Sequence, residues 1–137
     1  MNSIRRFSIS VALLCAGAGT VLAAAPAQAQ PGAARAGGAL ALSVTPAAPG
    51  ATSARSALLR CDADGGTHTA ATAACDDLRA VAGDVAALTT TDGICTREYA
   101  PVTATAIGLW QGRPLSYRAT FANECELLLA TGSVFEF

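Results

Sequence analysis

Residues 102–121, VTATAIGLWQGRPLSYRATF, carry the clearest structural signal in the chain. Val102 to Trp110 and Leu115 to Phe121 read as strands, and Gln111-Gly112-Arg113-Pro114 between them holds the Gly and Pro of a hairpin connection. Upstream, Leu40, Leu42 and Val44 alternate with Ala41, Ser43 and Thr45, the period of a half-buried strand. Pro46 to Ser53 reads as a connection to a second short strand, Ala57 to Cys61, which runs into the loop Asp62 to His68. A helix fits Thr72 to Leu88, with Leu78, Val81, Val85 and Leu88 on one face and Asp76 and Asp77 toward its positive N-terminal end. Gly83 weakens that helix by about 1 kcal/mol relative to Ala. Downstream, Asn123 is placed to cap a short helix through Leu129, and Thr131-Gly132-Ser133 breaks it before a terminal strand, Val134 to Phe137. These elements predict an α+β domain: a five-stranded antiparallel sheet with two helices packed on one face.

The 137 residues allow one domain. Nine Arg, with no Lys, face 10 acidic residues, and the net charge of -1 offers no basic field for nucleic acid or an anionic membrane surface. Arg5 and Arg6 open a leader in which Val11 to Ala25 is apolar and uncharged, and Ala27-Gln28-Ala29 has the small-x-small pattern of a cleavage site. Residues 1–29 are therefore expected to be a secretory signal peptide, the apolar run being too short for an anchor. The flanks of Arg5-Arg6 fit a twin-arginine signal poorly, and bulky Leu14 argues against lipid attachment at Cys15. An exported product running from Gln30, extracellular and free of the membrane, would carry 7 Arg against 10 acids. Residues 30–38 have nothing to bury and read as a mobile arm, leaving 39–137 as the domain.

Four cysteines remain beyond the leader: Cys61, Cys75, Cys95 and Cys125. An even set in a small exported chain reads as two disulfides, of which sequence allows three pairings. Their spacings lack any Cys-x-x-Cys pair, and His68 is the single imidazole, so no metal or cofactor is expected. For catalysis, His68 would need a nucleophile and an orienting carboxylate from Asp62 or Asp64; a solvated loop histidine is the simpler reading. Glu124 and Glu126, two positions apart on a helix, point in different directions and make a poor carboxylate pair. The chain does not read as an enzyme.

The segment Asp92-Gly93-Ile94-Cys95-Thr96-Arg97-Glu98-Tyr99-Ala100-Pro101 is different. It lies between the long helix and the 102–121 hairpin as an exposed connection. Cys95 can tie it covalently to a distant element, Pro101 stiffens its other side, and Thr96 and Tyr99 favour extended backbone. Arg97 is then displayed on a taut loop. A flexible loop of this kind is a protease substrate, whereas a rigid one inhibits, because its binding entropy is already spent and its cut ends stay in place. On composition and spacing alone, a solvated Arg97 beside a structural disulfide explains these residues equally well, as in a secreted disulfide-bonded binding or structural module.

Taken together, Cys-x-Arg-Glu-Tyr-x-Pro-Val at 95–102, Trp110-Gln111-Gly112, Tyr117 and Phe121-Ala122-Asn123-Glu124-Cys125-Glu126 resemble the Streptomyces subtilisin inhibitor family. Gly66-Thr67-His68, Cys75-x-Asp77-Leu78, Gly83-Asp84, Ala87-Leu88-Thr89 and Ser133-Val134-Phe135-x-Phe137 add matches in the same order, from about Leu40 to the end. The loop between Cys61 and Cys75 is slightly shorter than the family pattern. The resemblance implies the pairings Cys61–Cys75 and Cys95–Cys125, and a reactive bond between Arg97 and Glu98. It places Ile94, Cys95 and Thr96 in a protease's non-primed subsites and Tyr99 and Ala100, after Glu98, in the primed ones. It assigns Asn123 to support the loop from behind. It further implies inhibition of subtilisin-like serine proteases, extended by Arg97 to trypsin-like ones, and a homodimer through stacked sheets, although Ala41 and Ser43 offer little outer bulk.

Overall fold

A computed structural model of the chain describes residues 37–48, 53–88 and 93–137. The proposed leader and most of the arm, residues 30–36, lie outside the described residues. The elements are β1 (Gly38–Pro46), β2 (Arg55–Arg60), β3 (Gly65–Gly66), α1 (Ala71–Ala80), β4 (Val102–Trp110), β5 (Arg113–Phe121) and α2 (Glu124–Thr131), with single 3₁₀ turns at Val85–Ala87 and Gly132–Phe135.

Five strands form one antiparallel sheet in the order β3-β2-β1-β4-β5. β1 is central: Leu42 pairs with Ala57 on one side and with Ala106 on the other. Its alternation works as expected, since Leu40, Leu42 and Val44 are buried while Ala39 and Ala41 face outward. The sheet takes in Gly38, and the Gly37 carbonyl already accepts from Gln111 N at 2.8 Å, so the arm ends earlier than residue 38. The β4–β5 turn is tighter than the four residues expected. Gln111 and Gly112 alone make it, with φ of 51° and 77°, the left-handed pair of a type I′ turn, and Arg113 already pairs with Trp110.

Both helices cover the same face of the sheet. Leu78 of α1 and Leu127 of α2 share one core with Leu40, Leu42, Leu59 and Ala106. The first helix is shorter than its periodicity predicts. It stops at Ala80, Ala82 and Gly83 take positive φ, and Val85 reaches the core from a separate 3₁₀ turn capped by Asp84. The cause is Trp110: a Cβ at Gly83 would sit 2.4 Å from its Cγ, so only glycine lets the chain pass the indole. With the helix starting at Ala71, Asp76 and Asp77 lie beyond its first turn. Asp76 instead pairs with Arg79 at 2.9 Å, and Asp77 Oδ2 accepts from Ser133 N at 2.9 Å.

That last bond also shapes the C-terminal segment. Val134 to Phe137 is not a strand; a 3₁₀ turn over Gly132–Phe135 follows α2, and the fifth strand is the short Gly65–Gly66. Two side chains hold the turn, since Asp77 takes the Ser133 N–H and His68 Nε2 donates to the Val134 carbonyl at 3.1 Å. Val134 and Phe135 are then fully buried against α1 and α2, where a strand would have exposed alternate residues. Tyr117 leans on Phe135 with ring centroids 6.1 Å apart, and its partial burial pushes the phenol above its ordinary pKa.

None of the described helices packs on the opposite sheet face. Leu58, Ala41 and Ile107 form a row across three strands, with Leu109 in register with Ala39 beside it, and Leu58, Ile107 and Leu109 are all more than half exposed. The outer bulk missing from β1 is thus supplied by β2 and β4. Among the described residues, no helix is long and apolar enough to cross a membrane. Phe135→Ala is expected to cost about 3–5 kcal/mol by cavity formation, read as a lower urea midpoint with an unchanged slope.

Candidate functional site

From Gly93 to Pro101 the chain has no regular secondary structure, and all but Cys95 and Pro101 are exposed. Ile94 is 101% and Tyr99 80% exposed, an unusual cost for large apolar side chains in a chain this small. The segment is nevertheless tied down at several points. Cys95 is bonded to Cys125, the second residue of α2, and the remaining pair is Cys61–Cys75. At the other end, Ala100 N donates to the Ala122 carbonyl at 2.9 Å, and Ala47 N donates to the Pro101 carbonyl at 2.7 Å.

Asn123 does the rest. It is 6% exposed, and its side chain is divided between two tasks. Oδ1 accepts from Glu126 N at 2.9 Å, the N-cap bond that starts α2. Nδ2 donates to the Thr96 carbonyl at 3.2 Å and to the Glu98 carbonyl at 2.9 Å. Both N–H donors of the amide are therefore spent on the two carbonyls that flank Arg97. The Arg97 carbonyl between them accepts no hydrogen bond among the described residues. Open clefts of about 540 and 410 Å³ are each lined by Asn123 together with Thr96 and Glu98 of the loop. Arg97 and Glu98 make no ion pair or side-chain hydrogen bond among the described residues.

The other candidates are directed elsewhere. His68 is neither solvated nor poised for catalysis: it is buried, with Nδ1 accepting from Ala70 N at 3.0 Å and Nε2 bonded to Val134 O. Those partners require the Nε2–H tautomer and leave no ring nitrogen for a substrate. Asp64 binds Arg79, and Asp62 pairs with Arg60 at 3.4 Å, so neither orients the imidazole. The Ala63 N–H holds the Asp62 carboxyl below its ordinary range, helped by Arg60. Glu124 and Glu126 separate as expected, Glu124 pairing with Arg55 at 2.5 Å. Among the described residues, no three His, Cys, Asp or Glu side chains cluster to hold a metal. The ties from Ala47 and Ala122 went unread in the sequence because they are backbone bonds, which no residue type announces.

Residues 36–123 match the family model described as subtilisin inhibitor-like. The chain belongs to the subtilisin inhibitor-like family. Subtilisin inhibitor-like protein 2 of Streptomyces rochei is 59% identical over 73 residues, covering 53% of this chain and 65% of that protein. Kexstatin-1 of Streptomyces platensis is 49% identical over 74 residues, or 53% of this chain and 51% of its own length. The chain thus spans between half and two thirds of these relatives. Among solved structures, Streptomyces caespitosus sermetstatin, in complex with Bacillus licheniformis subtilisin, superposes with a TM-score of 0.58 at 31% identity, covering 74% of this chain and 99% of that one.

The two tasks of Asn123 in this family member can be separated. Asn123→Asp keeps the acceptor for Glu126 N–H but sets a carboxylate against two carbonyls. The buried, unpartnered carboxylate is expected to lower urea stability by about 1–3 kcal/mol and to speed exchange of the Ala100 amide, while the Glu126 amide stays protected. Asn123→Ala is expected to lose both.

Proposed function

We propose that this protein is a secreted inhibitor of serine endopeptidases that enters the protease active site as a substrate would, with Arg97-Glu98 as the reactive bond. The observation that carries the reading is the Asn123 amide bonded to the carbonyls on both sides of Arg97, on a loop tied by Cys95–Cys125. Residues 1–29 act as the export signal, and the domain that opens with β1 as the inhibitory domain. The names of the relatives, and the subtilisin bound to sermetstatin, point the same way.

In this mechanism the protease serine attacks the Arg97 carbonyl. The new amine at Glu98 stays beside the acyl group, because Asn123 holds Glu98 from behind and the Ala100–Ala122 and Pro101–Ala47 bonds hold the strand beyond it. Resealing then competes with hydrolysis. Ile94, Cys95 and Thr96 occupy the non-primed subsites, and Tyr99 and Ala100 the primed ones. In a trypsin-like pocket the Arg97 guanidinium pairs with an aspartate at the base; in the larger pocket of a subtilisin-like enzyme its aliphatic stem packs. The same preordering separates an inhibitor from a binding module with a merely exposed Arg97, which trypsin would cut without losing activity.

Titrating trypsin and subtilisin side by side tests the reading: stoichiometric loss of both activities, with the protein largely intact, is expected. Arg97→Ala should weaken trypsin inhibition by roughly 10²–10⁴-fold and affect subtilisin far less. Unchanged trypsin inhibition by Arg97→Ala would overturn the assigned bond.

The exposed row of Leu58, Ala41 and Ile107 supports a homodimer formed by stacking these sheet faces. Sedimentation at micromolar concentration is expected to give a dimer for the parent protein and a monomer for Ile107→Glu.

A further inference from the structure

We propose that Arg55 is a positioning residue for the Arg97 loop, acting through Glu124; this rests on the inhibitor reading for its consequence but not for its test. Glu124 is the first residue of α2 and lies between the loop's two anchors, Asn123 and Cys125. Its side chain makes no hydrogen bond or ion pair to the loop among the described residues. Its carboxylate instead accepts from Arg55 Nη2 at 2.5 Å, across 69 positions of sequence.

Arg55 is a firm base for that contact. It opens β2, in register with Val44 of the central strand, whose side chain is 2% exposed. Its guanidinium lies over the Phe137 ring, Cζ to centroid 5.9 Å, and its Nε is buried with no hydrogen-bond partner among the described residues. A guanidinium already stripped of some water has more to gain from a fixed carboxylate than an exposed one, and a charged donor makes the stronger hydrogen bond. The pair is partly solvated, with side chains 35% and 50% exposed, so its contribution to overall stability is small. Its effect is geometric. It ties the start of α2 to β2, on the side of the sheet opposite β4 and β5, which α2 itself touches. With α2 held between the two, the direction of the Asn123 amide and the position of the Cys125 sulfur are set relative to the sheet from which the loop springs.

The test needs no protease. Amide hydrogen exchange is followed in the free protein for Ala100, whose N–H is bonded to Ala122 O, and for the amides of β1. Arg55→Met and Glu124→Gln are each expected to raise Ala100 exchange about tenfold with β1 unchanged, the double variant no more than either, and Arg55→Lys less than Arg55→Met. Trypsin should then cleave Arg97-Glu98 faster in the single variants. Unchanged Ala100 exchange, a rise shared equally by β1, or additive effects in the double variant would overturn the proposal. Should Arg55→Met fail to fold, Glu124→Gln and Arg55→Lys carry the same comparison. A parent protein that does not inhibit trypsin or subtilisin would sink the inhibitor reading while leaving the exchange result to decide the role of Arg55.

Discussion

One carboxamide organises the end of the molecule that carries Arg97. The Asn123 side chain accepts a helix N–H with its oxygen and donates to two loop carbonyls with its nitrogen, so α2 and the Arg97 segment are ordered by the same group. A loop of nine residues with exposed apolar side chains would otherwise sample many conformations, at a cost of about 1–2 kcal/mol of entropy for each residue later fixed by a partner. Here much of that ordering is done in the free protein. Burial makes the arrangement demanding: at 6% exposure, any unpaired atom of the amide would be a desolvated polar group, so leaving either the helix cap or the loop prop unmade costs stability.

The sheet serves this prop by being rigid on one face and free of the described helices on the other. Its covered face holds the core residues of β1, β2 and β4 under two helices and a C-terminal turn. Its helices are short, and isolated helices of that length do not persist in water, so tertiary packing and the Cys61–Cys75 bridge hold α1 in place. Trp110 links several parts of this arrangement, closing the β4–β5 turn, abutting Gly38 and receiving Gly83 against its indole. The face without those helices carries Leu58, Ile107 and Leu109 around the small side chains of β1, a relief of bulk and hollow rather than a flat polar surface.

Much of this was legible residue by residue. The alternation in β1, the β4–β5 hairpin and the Asn123 cap rest on local rules and form where their patterns place them, the hairpin with a turn two residues shorter than its Gly and Pro suggest. Leu78, Val81, Val85 and Leu88 keep a helical period across the break at Ala82 and Gly83, so the sequence predicts a longer first helix than the packing against Trp110 allows. The C-terminal segment was misread because Val-Phe-x-Phe alternates like a strand, while its backbone groups bond instead to Asp77 and His68, which are 56 and 66 positions away. His68 itself was read as solvated because its loop is rich in Gly and Thr, which says nothing of the turn that folds over it.

What the amino-acid order determined alone was the display: an Arg between a cysteine and a proline, in a stretch with no helical or strand period of its own. Backbone propensity and covalent chemistry act over a few residues, so they can be read from neighbours. What only the tertiary structure decided was the stiffness and aim of that display, through the Asn123 amide, the backbone bonds from Ala47 and Ala122, and the Arg55–Glu124 pair. Those are hydrogen bonds between groups up to 69 positions apart, and their partners become neighbours only after the core has closed.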